Sequence, residues 1–269
     1  MSPVEIRRDG KIAILTMDRP DRHNAFNEDM WMSLGKATDD LLAAMPRAIV
    51  ITGAGARAFC AGFDVNPDNP QVAALVGAVQ KHDPKPVEGL IRLIRTTVDR
   101  FTGLPVPVIA AVNGMAYGGG AELASRCDMR VADPAAVFCF SEVRLGLIPD
   151  WGGGVALARL IGTGRAADMI LSARKVDAAE AHAMGLADRV SAPGKCLDEA
   201  CALAHEIARN GPASVRAALA VIRASRELPM GKALDFESEQ AIALIAGGEC
   251  IHGITALLSK KEPEFPDVE

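Results

Sequence analysis

Two glutamates beside a run of three glycines have the makings of a proton-transfer site. In VIAAVNGMAYGGGAELASRCD the apolar, strand-like residues 108–112 end in Asn113-Gly114, and Gly118-Gly119-Gly120 then opens a helix-like segment at residues 121–125. Glycine carries no Cβ, so a bound atom can lie directly against the amide N–H groups of the first helical turn. There the unpaired donors and the positive end of the helix dipole favour negative charge. Glu122 falls on that first turn, and Glu142 follows a second apolar stretch at residues 137–140. A backbone that stabilises an anion beside two carboxyl groups points to proton transfer next to a developing oxyanion.

The elements that must hold these residues can be followed from the N-terminus. Residues 11–17 (KIAILTM) read as a short strand running into the polar loop 18–24, after which Asn27 can cap a helix. Trp31, Leu34, Thr38, Leu41 and Met45 recur at helical spacing, and residues 48–52 (AIVIT) read as a fully buried strand. Strand, helix and strand in that order predict a right-handed βαβ unit with parallel strands. The following Gly53-Ala54-Gly55 lacks the third glycine of a dinucleotide fingerprint. Residues 66–85 read as a proline-containing insertion with weak helical content near 72–79. Residues 88–101 form a clearer helix that Leu104-Pro105-Val106-Pro107 stops. Beyond Gly154 the pattern predicts helices at 155–161, 165–172, 178–184, 197–208, 214–224, 232–246 and 250–260, with one further strand at 186–190.

With 269 residues, 49% of them hydrophobic, the chain can bury one large core. Its net charge of −5 offers no clustered basic excess of the kind that neutralises phosphates, so no nucleic-acid partner is expected. No apolar run reaches the roughly eighteen residues of a membrane span, and the N-terminus has no apolar leader. A cytoplasmic protein without a membrane partner is expected. Cys60, Cys127, Cys139, Cys196, Cys201 and Cys250 form no Cys-x-x-Cys pair and have no histidines at zinc spacing. They are expected as reduced core thiols, with no metal site.

Three motifs, in order, resemble the crotonase family, the enoyl-CoA hydratase/isomerase superfamily. They are Ala58-Phe59-Cys60-Ala61-Gly62-Phe63-Asp64, then Ala110-Ala111-Val112-Asn113-Gly114 through Gly118-Gly119-Gly120-Ala121-Glu122-Leu123, then Ser141-Glu142 with Leu145-Gly146-Leu147-Ile148-Pro149. The resemblance runs from about Ile12 to Phe265. It implies an α/β fold, a crotonase-like spiral of repeated ββα units, in which residues 1–195 form the core and the acyl-CoA site. Residues 196–269 would form a C-terminal helical region that assembles homotrimers or dimers of trimers. The βαβ pattern alone does not lead to that spiral.

The resemblance also implies the chemistry. The substrate is an acyl-CoA thioester, with no cofactor beyond the coenzyme A it carries. Its carbonyl oxygen lies between the N–H groups of Ala61 and Gly119. Coenzyme A is bound by Arg22, Asn24, Ala25, Ala61, Gly62, Phe63, Asp64 and Gly119, with Arg22 toward the phosphates. In the family's hydratases a glutamate pair adds water syn across a trans-2-enoyl thioester, which places Glu122 on the attacking water and Glu142 as the proton donor to the α-carbon. This chain departs from that pattern at Asp150, where hydratases commonly carry glycine, and Trp151 follows it. An acid there resembles the dienoyl-CoA isomerases, so the alternative is a dienoyl-CoA or 3-enoyl-CoA double-bond isomerase using Glu122, Glu142 and Asp150. The other account of Asp150 is a turn or helix N-cap residue ahead of Trp151 and Gly152. A third alternative is a non-catalytic binding protein on the same fold, including the RNA-binding role of some relatives. Both glutamates and the acidic balance oppose it.

Overall fold

Runs of aliphatic residues without polar interruption need cover on both faces, and three of them form the middle of a six-stranded sheet. The computed structural model describes residues 2–267. In it β2 (Ile12–Met17) pairs antiparallel with β1 (Val4–Asp9) and parallel with β3 (Ala48–Gly53). The crossover between β2 and β3 is α1 (Glu28–Ala43), whose first turn is closed by the Asn27 side chain accepting from the Met30 N–H. The expected βαβ unit is therefore present. β5 (Val108–Val112), β7 (Met129–Ala132) and β10 (Arg189–Val190) extend the sheet in the order β1-β2-β3-β5-β7-β10.

A second, four-stranded sheet produces the spiral. It consists of β4 (Ala58–Cys60), β6 (Met115–Tyr117), β8 (Val137–Cys139) and β9 (Val176–Asp177). Three times the chain runs along a strand of the first sheet, turns into a short strand of the second and then enters helices. These are α2 (Pro70–Lys81) and α3 (Lys85–Thr102) after β4, α4 (Gly119–Arg126) after β6, and α5 (Gly153–Ile161) with α6 (Thr163–Ser172) after β8. The short strands span two or three residues each, too few for a hydrophobic period, and they were not expected individually. Residues 70–81, expected to be weakly helical, are a complete helix capped by Asn69.

Side chains alternate across the sheet as strand geometry demands. Ala13, Leu15, Ile49, Ile51, Val108 and Ala110 face the layer of α1, α3 and α4, whereas Ile12, Ile14, Val50, Ile109 and Ala111 face α8 (Cys196–Ala208). The expected division at 195/196 thus falls at the start of a helix that covers the central sheet. The expected strand 186–190 is shortened to β10. Gly185 ends α7 (Ala178–Met184) in the left-handed region, and the N–H groups of Leu186 and Ala187 both donate to Ala181 O, which removes them from the sheet.

From α9 (Pro212–Ala224) the chain leaves the sheet, and α10 (Met230–Gly247) and α11 (Glu249–Leu258) have no buried residue. Met230, Leu234, Ile242, Ile245, Ile251, Ile254, Leu257 and Leu258 are all exposed on this pair. No single helix among the described residues is long and apolar enough to cross a membrane, although α10 and α11, bent by 69°, together have the length and composition. The tail folds back on its own chain, where the buried Arg47 guanidinium donates to Ala208 O, Phe265 O and the Asp267 carboxylate. All six cysteines are free thiols, four of them buried and Cys201 and Cys250 half-buried.

Ile109 is fully buried between the sheet and α8. Replacing it by alanine is expected to lower unfolding free energy by about 2–5 kcal/mol, measured as a shift of the urea midpoint at unchanged slope.

Candidate active site

The glycine run is demanded by one backbone conformation and two close approaches. Gly118 turns the chain from β6 into α4 at φ 51° and ψ −127°, a conformation closed to residues with a Cβ. A Cβ on Gly119 would overlap the Trp151 ring, and one on Gly120 would overlap the Cys60 carbonyl. Trp151 cannot yield, because its ring is 2% exposed and wedged against Phe26 and Trp31, with centroids 5.1 and 4.6 Å away. The start of α4 is therefore pressed between an aromatic cluster and the β4 backbone, with Glu122 on its first turn.

Glu122 is fully buried, and its carboxylate receives three backbone donors from one turn. The Asp150 N–H donates to Oε1 at 3.1 Å, and the Trp151 and Gly153 N–H groups donate to Oε2 at 2.8 Å each. Glu142 lies on a single 3-10 turn, Glu142–Leu145, and is 8% exposed. Both of its carboxyl oxygens are buried without a hydrogen-bonding partner among the described residues. Burial first, and then the facing charge of Glu142, raise the Glu122 carboxyl above its ordinary range, and burial likewise raises Glu142 and Asp150. Two carboxyl groups this close hold one proton between them. The three donors oppose that rise at Glu122, and the two carboxyl groups titrate as a pair.

These groups line a cavity of about 320 Å³. Its polar end holds Glu122, Glu142, Asp150, Ser141 and Tyr117, together with the backbone at Ala61, Phe63, Gly118 and Gly119. Its apolar wall comes from Leu75 on α2, Val87, Leu90, Ile91 and Ile94 on α3, and Leu145, Leu147 and Ile148 beyond Glu142. The insertion and the helix that follows it thus form one side of the pocket. Asp150 does not cap α5, whose N-cap position is Gly152, and its carboxyl group belongs to the cavity.

The structure corrects one expected donor. The Ala61 N–H is donated to His23 O at 3.0 Å and is not available to a ligand. Phe63 takes its place for a geometric reason. Phe26 forms a parallel bridge to it, donating to Gly62 O at 2.8 Å and accepting from the Asp64 N–H at 2.9 Å. Such a bridge turns the N–H of Phe63 itself away from Phe26, and it has no acceptor among the described residues. Gly62, at φ 87°, packs so closely that a Cβ would stand 2.8 Å from the Gly119 nitrogen, which brings the Phe63 peptide up beside the first turn of α4. The Gly119 N–H likewise has no acceptor. The motif residues alone do not reveal which of three successive peptides faces the cavity; the partner strand decides it.

The other expected coenzyme A contacts, Arg22, Asn24, Ala25, Gly62 and Asp64, lie outside the cavity lining. Asn24 is fully buried and organises its own loop, its amide donating to Ala54 O and Ala58 O while its oxygen accepts from the Arg19 N–H. Asp64 is 3% exposed, with its carboxylate held by Asn66 and Arg19. Burial acts to raise its pKa, but those hydrogen bonds outweigh it and hold the carboxyl below the usual range. The Ala25 carbonyl accepts from Arg19. These three are scaffold for the loop. Arg22 is exposed and paired with Asp68 at 2.6 Å.

Fold and site together define a class, and comparison with known proteins agrees. The family model described as enoyl-CoA hydratase/isomerase matches residues 7–268, and the chain belongs to that family. The short-chain-enoyl-CoA hydratase of Clostridium acetobutylicum is 33% identical, the match covering 98% of this chain and 97% of the relative. The 2,3-dehydroadipyl-CoA hydratase of Escherichia coli is 35% identical over 98% of this chain and 99% of its own. Among solved structures, the enoyl-CoA hydratase of Bacillus anthracis superposes with a TM-score of 0.87 at 30% identity, covering 98% of both chains.

A carboxyl group whose pKa is higher in the folded than in the unfolded chain adds stability at low pH that is lost as pH rises. Glu142→Gln removes that liability. The variant is expected to match the parent below the unfolded carboxyl value of about 4.3. It should become increasingly the more stable of the two as pH rises toward the raised folded value, measured by urea unfolding across pH.

Proposed function

We propose that this chain is an enoyl-CoA hydratase adding water syn to a trans-2-enoyl-CoA. The observation that carries the proposal is the unequal carboxyl pair, in which Glu122 accepts from three backbone N–H groups and both Glu142 oxygens are buried without a hydrogen-bonding partner among the described residues. In this reading the thioester oxygen sits between the N–H groups of Phe63 and Gly119, which are free for it. Glu122 takes a proton from water as its oxygen bonds to the β-carbon. Electron density moves through the double bond onto the thioester oxygen, where the two donors stabilise the enolate by about 3–4 kcal/mol each. Glu142 then protonates the α-carbon, and the product is a 3-hydroxyacyl-CoA. The pair ends with its proton exchanged between the two glutamates and resets by returning it. The apolar wall from α2 and α3 receives the acyl chain, and Arg22 is assigned to the coenzyme A phosphates.

A second reading, a dienoyl-CoA or 3-enoyl-CoA isomerase, is favoured by one observation. Asp150 shares the cavity with both glutamates and caps no helix. There, one acid removes a proton from the chain and another returns it two or four carbons away, with no water added. The exposed apolar faces of α10 and α11 support assembly with further copies of the chain, as trimers or paired trimers.

Incubation with crotonyl-CoA and longer 2-enoyl thioesters in deuterated water is expected to remove the enoyl absorbance and yield 3-hydroxyacyl-CoA deuterated at the α-carbon. Glu142→Gln should lower kcat by about 10²–10⁴-fold with little change in KM. A full-rate variant would overturn the assigned roles. Asp150→Asn is expected to leave hydration within about threefold of the parent; its loss together with turnover of a 3,5-dienoyl thioester would establish the isomerase instead.

A further inference from the structure

The turn that feeds Glu122 is gripped twice by the same helix. Glu122 and Arg126 stand one helical turn apart on α4, and both reach the Asp150–Gly153 segment. Glu122 takes its N–H groups, whereas Arg126 takes its carbonyl, donating from Nη1 to Trp151 O at 3.3 Å. From Nη2 the same guanidinium donates to Asp99 Oδ1 at 2.6 Å and to Thr102 Oγ1 at 3.4 Å. Asp99 is held in turn by Arg95 Nε at 2.7 Å. Gly152 crosses so close over Arg126 that any Cβ there would overlap the guanidinium.

We propose that Arg126 is a positioning residue for Glu122, fixing the peptide from Trp151 to Gly152 so that three N–H groups stay aimed at the carboxylate. The proposal rests on the proton-transfer role assigned to Glu122. The planar guanidinium serves two directions at once, toward Trp151 O and toward Asp99, which the single ammonium of a lysine cannot reproduce. Asp99 lies on α3, the helix that also presents Leu90, Ile91 and Ile94 to the cavity. One side chain thus ties the base-holding turn to the wall of the acyl pocket. The Arg126–Asp99 pair is part-exposed, at 20% and 39%, and such pairs contribute little to stability. Its effect falls on geometry.

The charged groups around this link are few. Glu142 and Asp150 face Glu122 across the cavity. Behind Arg126, a smaller cavity of about 220 Å³ also holds Arg95 of α3, Arg159 of α5, and Arg226 and Glu227 beyond α9. When the turn loosens, its N–H groups withdraw from Glu122 and the ionised form loses support. The proton is then retained to higher pH.

The test compares Arg126→Met, Arg126→Lys and Asp99→Asn in the full chain. One readout needs no turnover: titration of ¹³C-labelled glutamate carboxyls by NMR, with the Glu122 signal assigned by its absence in Glu122→Gln. The others are kcat, KM and the pH profile with an enoyl-CoA. Arg126→Met is expected to move the Glu122 titration and the acidic limb of kcat to higher pH. It should lower kcat by about 10- to 100-fold while KM stays within about threefold, the signature of a misplaced group. Arg126→Lys and Asp99→Asn should shift in the same direction by less. A Met variant with parental titration and kcat, differing only in melting temperature, overturns the proposal. Should that variant fail to fold, an Asp99→Asn protein with parental titration and kcat overturns it equally. A shifted titration in a protein that turns over no enoyl or dienoyl thioester would leave the positioning role standing and remove the proposed reaction.

Discussion

The site depends on a carboxylate that a turn of backbone wraps. Three N–H groups from Asp150, Trp151 and Gly153 converge on Glu122, and a buried charge is tolerable only when so satisfied. The arrangement dictates much of its surroundings. Gly153 has no room for a Cβ because Glu122 lies against it, and Gly119 has none because Trp151 does. The aromatic cluster of Phe26, Trp31 and Trp151 then locks the turn from the far side, and α1 is joined to the site through it.

Against this satisfied acid stands one with no hydrogen-bonding partner among the described residues, so the two carboxyl groups sit in unequal environments. Equal environments would leave the shared proton undecided between the two groups. Here one glutamate accepts three backbone donors, whereas the oxygens of the other have no hydrogen-bonding partner among the described residues. Position in the fold likewise decides which backbone donors stay free. Gly119 and Phe63 keep free N–H groups because helix α4 has no preceding turn and because the bridge to Phe26 uses the peptides on either side.

The long elements were legible from the residues. Continuous aliphatic runs identify β2, β3 and β5, and helical periodicity identifies α1, α3 and the C-terminal helices to within a few residues. The strands β4, β6, β8 and β9 carry no period of their own, since two or three residues span hardly one alternation. Their existence depends on pairing with one another, and the spiral follows from that pairing. Residues 70–81 form a whole helix because α3 offers a surface for Ala78 and its neighbours, a contact that local composition does not contain.

For the candidate site, the residue types and their order were enough to name Glu122, Glu142 and the Gly118–Gly120 run, because chemistry restricts which side chains can move protons and which backbone a ligand can touch. Asp150 stands out only through the family resemblance, as an acid where hydratases commonly carry glycine. Tertiary structure alone decided three further points. Phe63, and not Ala61, offers its N–H, since hydrogen-bond direction along a strand depends on the partner strand. The Asn24 and Asp64 side chains hold the loop through hydrogen bonds to its own groups, since a polar side chain in a motif does not announce where its partner lies. Arg126 reaches the turn that holds Glu122 while Asp99 of another helix holds Arg126, a meeting that depends on how α3 and α4 pack and so has no signature in linear order.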